Sequence, residues 1–64
     1  MKTLADRIRA KARKDDVGVE ELRLRIKLGG GTFYGLLRGE LPRTTRVIRK
    51  LEENGIRVRD LLTA

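Results

Sequence analysis

The chain has 64 residues, and its 16 Lys and Arg against 9 Asp and Glu leave a net charge of +7. It has no cysteine and no histidine, which removes disulfides, thiolate metal ligands and the commonest acid–base catalyst. A chain this short is expected to be one domain, residues 1–64, too small to hold a deep substrate pocket beside a core.

Thr3 suits a helix N-cap, because its hydroxyl can accept from an orphan amide of the first turn. Leu4, Ile8 and Ala12 follow at i, i+4 and i+8 with Ala5 beside them, which predicts a helix over Leu4–Lys14. That stripe is narrow, half alanine, and carries no Trp or Phe, which argues against a helix lying on a membrane. No apolar run approaches the ~20 residues of a membrane span. The expected setting is therefore cytoplasmic, nucleoid-associated in a bacterium, with no membrane partner.

Asp15 to Gly18 reads as a turn. Val19, Leu22 and Ile26 then recur at helical spacing, yet Leu22, Leu24, Ile26 and Leu28 also alternate with Arg23, Arg25 and Lys27 as a strand would. Propensity favours a helix running to Leu28, since Ile26 is the one β-branched residue between Glu20 and Leu28. Gly29, Gly30 and Gly31 read as a glycine turn. Thr32 to Arg38 reads as a third helix, with Phe33, Leu36 and Leu37 inward and Thr32, Tyr34, Gly35 and Arg38 outward. Gly39 suits its C-cap, with Pro42 shortly beyond. Thr44 or Thr45 can cap a fourth helix with Val47, Ile48 and Leu51 on its apolar face, ended by Asn54-Gly55. Ile56, Val58, Leu61 and Leu62 close the core, with a last short helix. The expected fold class is all-α, a small bundle of about five short helices.

Catalytic patterns are poor. Asp15-Asp16, Glu20-Glu21 and Glu52-Glu53 are sequence neighbours, and neighbours on a helix do not face one another. Gly29, Gly31 and Gly35 imitate a dinucleotide fingerprint without the βαβ unit it needs. No enzyme activity, cofactor or metal is expected.

Two helices joined by a tight turn in a basic chain suggest a helix-turn-helix. From Thr3 to Leu62 the chain resembles the phage-repressor-like (Xre/Cro, lambda-repressor-like) helix-turn-helix domains. The residues that carry the likeness are Val19-Glu20-Glu21-Leu22, Ile26 and Leu28, Thr32-Phe33, Leu36, Arg38-Gly39-Glu40 with Pro42, Asn54-Gly55-Ile56 and Asp60-Leu61-Leu62. The most specific run is Thr-x-x-x-Leu-x-Arg-Gly-Glu-x-Pro. The resemblance implies about five helices with Gly29 to Arg38 as the DNA-facing unit. The chain departs from the pattern at six positions. Arg23 stands where a small residue is usual, Lys27 where the turn glycine is usual, and Val19 where a polar residue often opens the second helix. Gly30, Gly31 and Gly35 stand where base-reading side chains tend to be.

Three contact roles follow as expectations. The amides of Gly30, Gly31 and Thr32 can meet a phosphate at a helix N-terminus, or the glycines are only a flexible turn. Thr32 and Tyr34 can meet bases and Arg38 a phosphate or guanine edge, or Tyr34 is partly packed with an exposed hydroxyl. By the resemblance, Arg43, Thr44, Thr45, Arg46 and Arg49 grip the sugar-phosphate backbone; otherwise they form a solvated charged face. The expected partner is double-stranded DNA, bound by a transcriptional regulator. Serine, glutamine and tryptophan are also absent, by chance or because the sequence was chosen by design, so a designed DNA binder is equally open. The alternative is a protein-interaction module, a homodimer through Leu24 and Leu37.

Overall fold

The computed structural model describes residues 3–62. Five helices follow in order: α1 (Leu4–Lys14), α2 (Val19–Ile26), α3 (Gly30–Leu37), α4 (Thr45–Glu53) and α5 (Arg59–Leu62). No strand occurs among the described residues. The conflict of periods in α2 resolves on one residue. Leu22 and Ile26 are 1% and 2% exposed while Leu24 is 58% exposed. A strand would have put all three on one face.

Thr3 caps α1 as expected. Its Oγ1 accepts from the Asp6 amide at 3.1 Å, and its own amide donates to Asp6 Oδ2 at 3.1 Å. This reciprocal box satisfies two orphan donors at once. Thr44, rather than Thr45, caps α4, accepting from the Val47 amide at 3.3 Å.

The first four helices all end on a left-handed residue: Asp16 (φ 55°), Lys27 (φ 66°), Gly39 (φ 109°) and Gly55 (φ 83°). In each case the amide after it folds back to a carbonyl of the last turn: Val17 to Ala12, Leu28 to Arg23, Glu40 to Gly35 and Ile56 to Leu51. These bonds satisfy carbonyls that the helix end would orphan. Gly39 and Gly55 fill the role as their type suggests. Asp16 is of a type that tolerates this conformation. Lys27 is not, and the left-handed backbone costs such a residue about 1 kcal/mol relative to glycine.

Two expectations therefore need correction. Helix α2 stops at Ile26, not Leu28, because Lys27 turns the chain. Gly29, Gly30 and Gly31 are not the turn. Gly29 is the N-cap of α3 at φ −66°, and Gly30 and Gly31 are its first two residues, so α3 begins before Thr32 and Arg38 is its C-cap. None of the three has a positive φ.

One apolar core collects Leu4, Ile8, Ala12, Leu22, Ile26, Leu28, Phe33, Leu36, Leu51, Ile56 and Val58. Phe33 lies at 0% exposure and fixes α3 against the core. Val47, Ile48, Leu37, Leu61 and Leu62 pack on its margin. The short α5 is tied back by charge: Arg7 donates to both Asp60 oxygens at 2.8 and 2.9 Å and to the Arg57 carbonyl at 3.0 Å. The Arg7 guanidinium holds the Asp60 carboxyl below its usual range.

Candidate nucleic-acid interface

The turn between α2 and α3 is held by side chains from two directions. Arg23, where the resemblance expects a small residue, donates from Nη1 to the Leu28 carbonyl at 3.0 Å. Its Nε donates to Glu20 Oε1 at 2.9 Å and its Nη2 to Glu20 Oε2. From α4, Lys50 Nζ donates to the Lys27 carbonyl at 2.7 Å. A guanidinium needs room and a fixed acceptor; the turn supplies both, so a large residue is accommodated here.

Glu20 also accepts from the Tyr34 hydroxyl at 2.7 Å. This links the first turn of α2 to the middle of α3. The Arg23 guanidinium, and then the Tyr34 hydroxyl, hold the Glu20 carboxyl down at about 2. The same bond to Glu20, followed by loss of solvent, pushes the Tyr34 phenol up. Tyr34 is half-buried, with its ring edge-on to Phe33 at 5.4 Å between centroids. Tyr34 is thus partly packed rather than fully outward, and its hydroxyl donates to Glu20, a partner the sequence did not point to.

Gly35 is the second outward residue to be corrected. It is buried, beneath the Glu40 side chain. A Cβ on Gly35 would come within 2.7 Å of Glu40 Oε1. The cause is the left-handed Gly39, which turns the chain so that Glu40 folds back over the last turn of α3.

The head of α3 is different. Gly31 and Thr32 are exposed and Gly30 is half-buried. A Cβ at Gly29, Gly30 or Gly31 would meet nothing within 4 Å. Gly31 and Thr32 line one groove of about 320 Å³ together with Arg43, Thr44 and Val47, floored by Leu36 and Pro42 and edged by Glu40 and Leu41. The fold thus brings two separated stretches of the expected site into one place. Thr45, Arg46 and Arg49 are exposed on α4, and Arg46 and Arg49 stand one turn apart on one side of that helix. Arg38 does not join them. It caps the opposite end of α3, lies 3.6 Å from Glu40, and lines a separate groove with Leu37 and Leu41. Leu24 is not among the residues lining that groove.

Charge separates the helices. The first turns of α1, α2 and α5 carry Asp6, Glu20 with Glu21, and Asp60. The first turns of α3 and α4 carry no acid. A helix N-terminus holds roughly half a positive charge, and on these two helices no side-chain carboxylate of the first turn offsets it. Arg43, Arg46 and Arg49 form no ion pair among the described residues.

Lys27 and Lys50, at the turn, were not picked out as site residues. The signal that could have found them was Lys27 itself, standing where the resemblance expects glycine. No helix is long and apolar enough to cross a membrane, and no cluster of metal-ligating side chains forms among the described residues. Compared with family models, curated proteins and solved structures, the chain matches none of them.

Proposed function

We propose that the chain binds double-stranded DNA, with the head of α3 in the major groove and the start of α4 on the sugar-phosphate backbone. Its role is that of a transcriptional regulator or, if the sequence was chosen by design, of a designed DNA-binding protein. One observation carries the reading. The two helices whose N-termini border a common groove, α3 and α4, are the two without an acid in the first turn beyond the N-cap. Unpaired Arg43, Arg46 and Arg49 stand beside them. A neutral glycine tip flanked by free guanidinium groups suits phosphate contact, which supplies most of the affinity in such complexes. Thr32 is the exposed side chain at that tip, so base reading is modest and DNA shape contributes.

The test is the affinity for a short duplex across a salt series. With five phosphates neutralised, log K falls against log salt at a slope of roughly −4.5. A flat dependence sinks the proposal. A second reading, a dimerisation module, is favoured by Leu24 at 58% exposure. It expects a concentration-dependent dimer and no duplex binding at low salt. A DNA-binding homodimer would instead read two half-sites.

A further inference from the structure

Lys27 is the residue whose type and backbone disagree most. Its φ of 66° is the left-handed conformation that glycine adopts freely. Its side chain is exposed and forms no hydrogen bond or ion pair among the described residues. Nothing inside the protein accounts for a lysine there. A second ammonium, that of Lys50, is held on the Lys27 carbonyl at 2.7 Å. No Asp or Glu occurs from Leu22 to Gly39, and the flanking Glu21 and Glu40 are paired with Arg25 and Arg38. The one carboxylate bonded at this turn, Glu20, is taken up by Arg23 and Tyr34, and neither Lys27 nor Lys50 forms an ion pair among the described residues. The residue two positions on is the uncapped N-cap of α3.

We infer that Lys27, with Lys50 behind it, forms a phosphate-binding site on the turn between α2 and α3. The ligand is a phosphodiester group of the bound nucleic acid, an identity that rests on the DNA-binding reading above. Lys27 is exposed and lies two residues before the N-cap of α3, so its charge adds to the positive field at the edge of the α3 head. Lys50 serves twice, closing the turn and adding to the local positive field. A residue in a strained backbone conformation whose side chain bonds to nothing internal points to an external contact.

The variants are Lys27→Gly and Lys27→Gln. Lys27→Gly relieves the backbone and removes the charge, so the thermal midpoint rises while duplex affinity falls about threefold to tenfold at low salt, with the salt slope smaller by about 0.9. Lys27→Gln keeps the strained backbone and loses only the charge, so it matches the affinity loss without the gain in midpoint. Polyphosphate, which has no bases and no duplex, is titrated separately against the amide resonances of Lys27, Leu28 and Gly29. These shift in the wild-type protein and not in Lys27→Gln. Wild-type duplex binding that Lys27→Gln leaves unchanged overturns the site and leaves the DNA reading standing. Lys27-dependent polyphosphate shifts without duplex binding keep the site and overturn the DNA reading. The absence of both overturns both.

Discussion

Helices α2 and α3 start from the same device and put it to different use. Each has eight residues, and each opens behind a glycine in extended conformation, Gly18 and Gly29, that gives no side-chain cap. Helix α2 then places Glu20 and Glu21 in its first turn, where they offset the helix dipole. Those carboxylates hold Arg23, Arg25 and Tyr34. Helix α3 places Gly30, Gly31 and Thr32 there, and its first turn carries no acid. The first end is satisfied from within. The second is left for something outside, which is the physical core of the DNA-binding proposal.

The most severe way to break this contrast is to remove the anchor of α3. Phe33→Ala empties a fully buried ring site and costs ~3–5 kcal/mol, close to the entire stability of so small a domain. Loss of the helical circular-dichroism signal at room temperature is the expected result. A cooperative melt near the wild-type midpoint would mean that the core does not depend on Phe33.

A sharper probe is the double variant Gly30→Ala, Gly31→Ala. Both positions have ordinary helical backbone and open space for a methyl group, so each change stabilises by about 0.4–1 kcal/mol. If glycine is there to let a phosphate approach the backbone, duplex affinity drops about tenfold as stability rises. Higher stability with unchanged affinity would reduce the tip to a poorly chosen helix start.

The smallest effect concerns the satisfied end. Glu20 titrates at about 2 when folded, against its ordinary 4.5. The unfolded chain therefore binds the extra proton first. The contribution of Glu20 is complete above pH 4.5 and is lost as pH falls from about 4.5 to 2. Glu20→Gln should flatten that part of the acid limb, seen as denaturation midpoints that change less between pH 5 and pH 3 than in the wild type. Because the group is exposed, added salt should shrink the difference. An identical acid limb in both proteins would show that the bonds to Arg23 and Tyr34 are absent in solution.

Much of the fold was legible because it is written in local chemistry. The Thr3 cap, the Leu4–Lys14 stripe, Gly39 and Asn54-Gly55 each act within a few residues of themselves, and all sit where their types suggest. The site was less legible. Arg43, Thr44 and Thr32 were recognised as separate contacts, but their meeting in one groove depends on how α4 returns against α3. Gly35 was misplaced and the partner of the Tyr34 hydroxyl missed because both are set by the tertiary fold: Glu20 is fourteen residues from Tyr34 in the chain, and Glu40 reaches Gly35 only after Gly39 has turned the backbone.

By itself the sequence determined an all-α chain, the Thr3 cap, the glycines that end α3 and α4, most core residues and an excess of positive charge, since short-range periodicity, propensity and composition govern these. The tertiary structure alone decided that Lys27 rather than a glycine makes the turn, that Arg23 and Lys50 hold it, and that the two helix ends left without an acid share one groove. The Lys50 bond to Lys27 and the shared groove are set by residues far apart in the chain, while Arg23 acts only five residues away, on a carbonyl that periodicity does not mark as an acceptor.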